Sequence, residues 1–263
     1  TIIFKEKHVK LMNIITATAL ASTLVAPAVM AANEFSPEQK KQIESIVHDY
    51  LVNSPEVLLE ASQALQQKQQ QTMQKEAKSA ILQHANELLA GKLTVAGNPK
   101  GAVTLVEFFD YQCIHCKKME PTVNDLVKKN NNLRVVYKEF PIFGKTSEMA
   151  SKAAIAAAMQ GKYMAMQNAL LKLTKPLDEQ MIMDTAKSVG LNVAKLKVDM
   201  DSKAVADELA ANRQLAEKMH LMGTPALVIL ATPAGTLKAG TEPAFIPGAA
   251  TPEALQALVD KAK

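Results

Sequence analysis

Cysteine is almost absent from this 263-residue chain, which has two, Cys113 and Cys116. A framework of permanent disulfides is thereby excluded, and stability must come from an ordinary apolar core. Net charge is also small, with 30 basic against 26 acidic residues leaving +4. Lys5, Lys7, Lys10 and Glu6 lie in the first 32 residues, so the remainder carries only +2. A surplus so small and so interspersed argues against nucleic acid as a partner. Beyond residue 32 no segment is long and apolar enough to span a bilayer. No second cysteine pair or paired-histidine cluster closes a four-ligand metal site. No metal site and no cofactor is expected.

The first 32 residues have their own pattern. Lys5, Lys7 and Lys10 precede a neutral stretch ending in Ala26-Pro-Ala-Val-Met-Ala-Ala32. This reads as a signal peptide cleaved after Ala31 or Ala32. Its Thr and Ala content, and Pro27, argue against a membrane anchor. The expected address is an exported, oxidising space, naturally a Gram-negative periplasm, where a reversible disulfide can be used.

Residues 33–91 read as helical. Ser36 is a candidate N-cap with Pro37 in the first turn, followed by a stripe of Ile43, Ile46, Val47, Tyr50 and Leu51. Ser54-Pro55-Glu56 opens a longer helix with apolar positions from Val57 to Leu89 and a polar run, Gln66–Gln71, in its middle. Gly91 ends it. A narrow stripe of this kind needs a partner. A second copy of the chain, meeting it through residues 33–90, is the expected one. Folding back on the chain's own domain, or a mobile stalk, are the alternatives.

Residues 92–263 read as one α/β domain. The predicted strands are Leu93–Val95, Val103–Phe109, Leu133–Phe140 and Ala226–Leu230, with Gly235–Lys238 as hairpin partner of the last. A helical insert covers about 147–221, with breaks near Gly161, Pro176 and Gly190. Thr251-Pro252-Glu253 caps a final helix.

The two cysteines, Cys113-Ile-His-Cys116, sit where the strand to Phe109 ends and a helix from Ile114 to Lys129 begins. Free N–H groups and the positive end of the helix dipole converge there and favour a thiolate at Cys113. Cys116, a turn further in, is more shielded. The expected division is Cys113 as the exchanging thiol and Cys116 as the resolving one. His115 can tune the pair. Pro121 removes one helix hydrogen bond and is expected to kink the helix. Glu107, inside the apolar strand, and Lys138, on the next, are buried charges that could pair.

This strand–Cys-X-X-Cys–helix unit, the helical insert, and Gly223-Thr-Pro225 before a strand resemble the DsbA-type thiol–disulfide oxidoreductases over Leu93–Lys263. The two preceding helices resemble the oligomeric ScsC-like subgroup. The resemblance implies a thioredoxin-like mixed sheet with a helical insertion, preceded by an N-terminal helical oligomerisation segment. It implies a cis bond before Pro225, which would face the cysteines with Thr224 and receive substrate backbone. It also implies that Glu107 carries protons to and from Cys116. Ile114 stands where proline is usual. Thr224 is similar to what disulfide isomerases carry, whereas His115 points toward oxidation.

The resulting expectation is a periplasmic enzyme that forms or isomerises disulfides in exported cysteine-containing proteins. Its working state would be restored by a membrane redox partner of DsbB or DsbD type. A copper- or zinc-binding protein using the same cysteines is the alternative. A non-catalytic oligomeric adaptor would leave both cysteines without a use.

Overall fold

The structure is a computed structural model and describes residues 35–91 and 94–263. The expected signal peptide and Leu93 lie outside the described residues.

The described chain falls into two compact units that divide after Ala61. The first contains helix α1 (Pro37–Asn53) and the start of helix α2 (Glu56–Gln83). Ser36 caps α1 as its sequence predicts. Its hydroxyl accepts from Gln39 N, and the Gln39 side chain accepts in return from Ser36 N at 2.8 Å. Nothing on α1 is buried, and its stripe of Ile43, Ile46, Val47 and Tyr50 is exposed.

The second unit is built on a five-stranded sheet. Its strands are β1 (Val95–Gly97), β2 (Val103–Phe109), β3 (Leu133–Glu139), β4 (Ala226–Ala231) and β5 (Ala244–Ile246). Their order is β1-β3-β2-β4-β5, with β2 and β3 parallel and every other pair antiparallel. Helix α4 (Ile114–Lys129) makes the crossover between the parallel pair. Strand β2 is buried along its whole length, as a continuous apolar run in a central strand requires. The hairpin partner of β4 is not 235–238. Pro233–Gly235 is a short 3₁₀ turn, and β5 lies further on, with Val228 opposite Phe245.

Side chains alternate between two cores. On one face, Leu105, Phe109, Val135 and Tyr137 meet Met119, Val123 and Leu126 of α4. On the other, Val106, Phe108, Val136 and Val228 meet Ile81 of α2, Leu88 of the short helix α3 (Ala85–Leu89), and Leu215. The apolar positions of the predicted long helix thus divide. Ile81 and Leu88 pack into the core on this face of the sheet and Ala77 is buried, whereas Leu58, Leu59 and Leu65 are exposed.

The helical insert comprises α5 (Lys145–Ala158), α6 (Tyr163–Leu171), α7 (Glu179–Ser188), α8 (Val193–Met200) and α9 (Lys203–Lys218). Breaks fall at the expected Gly161 and Gly190, both with positive φ, and around Pro176. A further break, before Ser202, is marked by that residue capping α9. Ala150, Ala153, Ala154, Ala156 and Ala157 of α5 are wholly buried, and this helix touches α6, α7, α8 and α9. Helix α10 (Pro252–Lys261), capped by Thr251, closes the chain against α4. No described helix is long and apolar enough to cross a membrane.

Candidate active site

Strand β2 delivers its chain to a turn, Asp110-Tyr111-Gln112, and α4 starts immediately after. Cys113 is the N-cap of α4, with φ −70° and ψ 116°. Its N–H donates to Asp110 O at 3.2 Å, and its carbonyl accepts the first helical bond, from Lys117 N. The N–H groups of Ile114, His115 and Cys116 therefore have no acceptor within the helix, and the dipole's positive end lies beside the Cys113 sulfur. Pro121 sits inside α4, which runs through it without interruption.

The Cys113 thiol donates to the Thr224 carbonyl at 3.2 Å. The Thr224–Pro225 peptide bond is cis. Cys113 is 4% exposed and Cys116 1%, and both are free thiols. Burial pushes the Cys116 thiol well up, with the charges of Glu107 and Cys113 adding to it and a backbone hydrogen bond at Asp110 opposing. Ile114 and His115 point away from the core, Ile114 being 57% exposed. The Thr224 hydroxyl is buried without a hydrogen-bond partner. Beside Thr224 and Pro225 lies a groove of ≈ 330 Å³, lined by Met73, Ala77, Met219, Met222 and Phe245 among others.

Glu107 faces the α4 side of the sheet and is buried. That burial pushes its carboxyl up to about 8, with the charge of Glu120 adding to it. Glu120, on α4, is buried and accepts from Asn124 Nδ2 at 2.6 Å. Tyr137 is opposite Glu107 in the parallel register, and its phenol is pushed up by burial, then by Glu107 and Glu120. Glu107, Glu120 and Cys116 thus form one buried acidic neighbourhood.

Lys138 is not part of it. The register sets Lys138 against Phe108, one residue out of phase with Glu107, so the two charges lie on opposite faces. Lys138 Nζ instead donates to Ala90 O at 2.7 Å, and burial holds its pKa down. The expected Glu107–Lys138 pair is not formed.

Among the buried carboxyls that the sequence reading did not single out are Asp110 and Glu139. Asp110 accepts four hydrogen bonds, from Gln112 N, Ser147 Oγ, Ile142 N and Phe143 N. Glu139 accepts from Tyr111 Oη at 2.7 Å, Tyr163 Oη at 2.8 Å and Ser151 Oγ at 2.8 Å. Burial nevertheless pushes Glu139 up to about 8. The available signal was position, since each is an acid at the end of an apolar strand. Lys117 anchors α4 to the insert, donating from Nζ to Leu173 O at 2.6 Å. No group of three or more His, Cys, Asp or Glu side chains among the described residues could hold a metal ion.

With that geometry in hand, the comparisons with known proteins are consistent. The family described as DSBA-like thioredoxin domain matches residues 104–260. The copper resistance protein ScsC N-terminal domain matches residues 39–72. The thiol:disulfide interchange protein DsbA of Bordetella parapertussis is 31% identical over 146 residues, 49% of this chain and 64% of that protein. Na(+)/H(+) antiporters of two Salinispora species also match, and there the chain spans 21% of the relative's length. Among solved structures, BcfH of Salmonella enterica Typhimurium superposes with a TM-score of 0.73 at 32% identity, covering 86% of this chain and 96% of that one. ScsC of Proteus mirabilis, in a transitional conformation, gives 0.60 at 27% identity, covering 87% and 96%.

Proposed function

The chain belongs to the DSBA-like thioredoxin family, and from that premise we propose that it is a thiol–disulfide oxidoreductase of exported proteins, working through Cys113 and Cys116. The observation that carries this reading is the placement of Cys113. Its sulfur lies at a helix start, 3.2 Å from the carbonyl that precedes cis-Pro225, while Cys116 is enclosed behind it.

In the oxidising direction, a substrate thiolate attacks Cys113 Sγ of the Cys113–Cys116 disulfide. The substrate–Cys113 bond forms, the internal bond breaks, and Cys116 leaves as a thiolate. With its pKa raised, that thiolate takes a proton readily, and Glu107 at about 8 is an acid still largely protonated at neutral pH. A second substrate thiolate then attacks the substrate's own sulfur and releases Cys113. The substrate has lost two electrons and the protein has gained them. In the isomerising direction, the Cys113 thiolate attacks a substrate disulfide, and a substrate thiolate later displaces it, with no net redox change.

Thr224 and Pro225 offer backbone for a substrate strand beside the sulfur, and Ile114 and His115 tune the pair. An oxidising membrane partner of DsbB type would restore the disulfide, and a reducing one of DsbD type the dithiol. The leader pattern in residues 1–32 and the use of a redox disulfide support a periplasmic address. The exposed stripe of α1 and early α2, within residues 33–90, supports homo-oligomerisation.

The test is refolding of reduced and of scrambled ribonuclease. Cys113→Ser should abolish both activities, and Cys116→Ser should accumulate mixed disulfide with the substrate. Full activity in Cys113→Ser would sink the reading.

A further inference from the structure

One residue meets both cysteines through its main chain. The Asp110 carbonyl accepts from Cys113 N at 3.2 Å, which closes a tight turn over residues 110–113. The Asp110 main chain also makes a hydrogen bond to Cys116, and that bond favours the thiolate. A bond with that effect comes from a donor, so the group on the Cys116 sulfur is the Asp110 N–H. Cys116 is otherwise enclosed, 1% exposed and within reach of the charge of Glu107.

The Asp110 side chain holds that main chain still. It is fully buried, and Oδ1 accepts from Gln112 N and Ser147 Oγ, each at 2.7 Å. Oδ2 accepts from Ile142 N at 2.7 Å and Phe143 N at 3.1 Å. Four donors meet the four lone-pair sites of one carboxylate. The turn before Cys113 is thereby fixed to the segment that leads into α5. The Gln112 side chain repeats the connection, donating to Phe143 O at 3.2 Å and to Ser147 Oγ at 3.0 Å. A dipole held in place in a buried site stabilises charge that appears beside it without having to reorganise.

We propose that Asp110 is a positioning residue for the leaving sulfur: its carboxylate anchors the turn so that the Asp110 N–H stays on Cys116 Sγ, where charge develops as the Cys113–Cys116 bond breaks. The proposal rests on the reading of the chain as a thiol–disulfide oxidoreductase and adds to it a donor for the departing sulfur. In the step concerned, an attacking thiolate bonds to Cys113 Sγ, the internal S–S bond breaks, and its electron pair passes to Cys116 Sγ. That sulfur is then protonated. The converse attack needs no such donor. When the Cys113 thiolate opens an outside disulfide, the charge develops on a sulfur of the substrate.

Two second-order rates on the full chain separate these cases. In the first, dithiothreitol opens the oxidised protein, and Cys116 is the leaving sulfur. In the second, reduced protein carrying Cys116→Ser attacks oxidised glutathione, and no sulfur at position 116 takes part. Each rate is measured with Asp110 intact and with Asp110→Asn. The asparagine amide turns an NH₂ toward two of the four donors, so the anchor loosens. Ser147→Ala is the milder variant, removing one donor and leaving the carboxylate in place.

Asp110→Asn should slow the dithiothreitol reaction about tenfold relative to the glutathione reaction, the order expected for part of one hydrogen bond to a charged sulfur. Ser147→Ala should lower the same ratio about threefold. The direction is diagnostic, because removing a negative charge near a departing thiolate would by itself speed its release. A raised ratio would make the charge of Asp110, not its anchoring, what matters and would overturn the proposal. Equal losses in the two reactions would place the effect on the whole turn, Cys113 included, and overturn it too. If Asp110→Asn does not fold, an unchanged ratio in Ser147→Ala does the same. A disulfide that dithiothreitol cannot open, together with a Cys116→Ser chain inert to oxidised glutathione, would overturn the exchange reading itself.

Discussion

Glu107→Gln removes an ionisable group from the α4 face of the sheet and nearly keeps its shape. In the folded chain that carboxyl is pushed up to about 8 by burial, against an ordinary value of 4.5. Below about pH 4.5 both folded and unfolded chains hold the proton, and its stabilising contribution is complete. As pH rises the unfolded chain gives up this proton first, so the contribution shrinks and is lost as pH passes the folded value. Each unit of separation is worth about 1.4 kcal/mol. Between pH 5 and pH 8 wild type should therefore lose about 3 kcal/mol on account of Glu107 alone. Glutamine does not titrate. The stability of Glu107→Gln minus that of wild type should thus grow by about 3 kcal/mol over that interval. Urea unfolding of the reduced proteins at pH 5, 6, 7 and 8 measures it, with equal m-values confirming that the two unfold alike. Glu139 titrates in both proteins, so its share cancels in the difference. A difference independent of pH would refute the raised pKa, and with it the case for Glu107 as a proton carrier to Cys116.

Glu139→Ala strands the hydroxyls of Tyr111, Tyr163 and Ser151 in the core. It should cost about 3–5 kcal/mol and lower the melting temperature by roughly 10 °C, read by calorimetry. Ile46→Glu, at a position 68% exposed, should reduce the mass in sedimentation to that of a single chain without loss of helicity, and an unchanged wild-type oligomer would remove α1 from any subunit contact. Lys138→Met should leave ribonuclease refolding rates at the wild-type level while costing about 1–3 kcal/mol in urea for the lost bond to Ala90. A slowed exchange reaction would return Lys138 to the site.

The parts of this protein that were legible in its sequence are those set by local pattern. The apolar run of β2 followed by a helical stripe places Cys113 at an N-cap, and Ser36, Thr251 and the positive-φ glycines punctuate helices where their chemistry requires it. What was illegible depends on register and on distant partners. Glu107 and Lys138 look like neighbours in adjacent strands, but a parallel register of Phe108 with Lys138 puts them on opposite faces, and nothing local specifies that register. The three residues of β5 carry too little pattern to outweigh the turn at Pro233–Gly235. Asp110 and Glu139 find their donors on residues up to 37 positions away. Even the stripe of α2, uniform on paper, divides into a part buried in the core and a part left open, because coverage is a property of the surroundings.

The alanine spine of α5 has a consequence for how this chain can vary. Four helices touch α5, whose buried residues are mostly alanines. A methyl group is the smallest side chain that still fills space, so every enlargement on that surface must be absorbed by a neighbouring helix. Drift at Ala153, Ala154, Ala156 or Ala157 is therefore confined to residues no bigger than serine, while the outward lysines of the same segment remain free to change. Lineages carrying this fold would be expected to alter its insert by exchanging surface chemistry, or by replacing the whole helical layer at once, but not by growing it one side chain at a time.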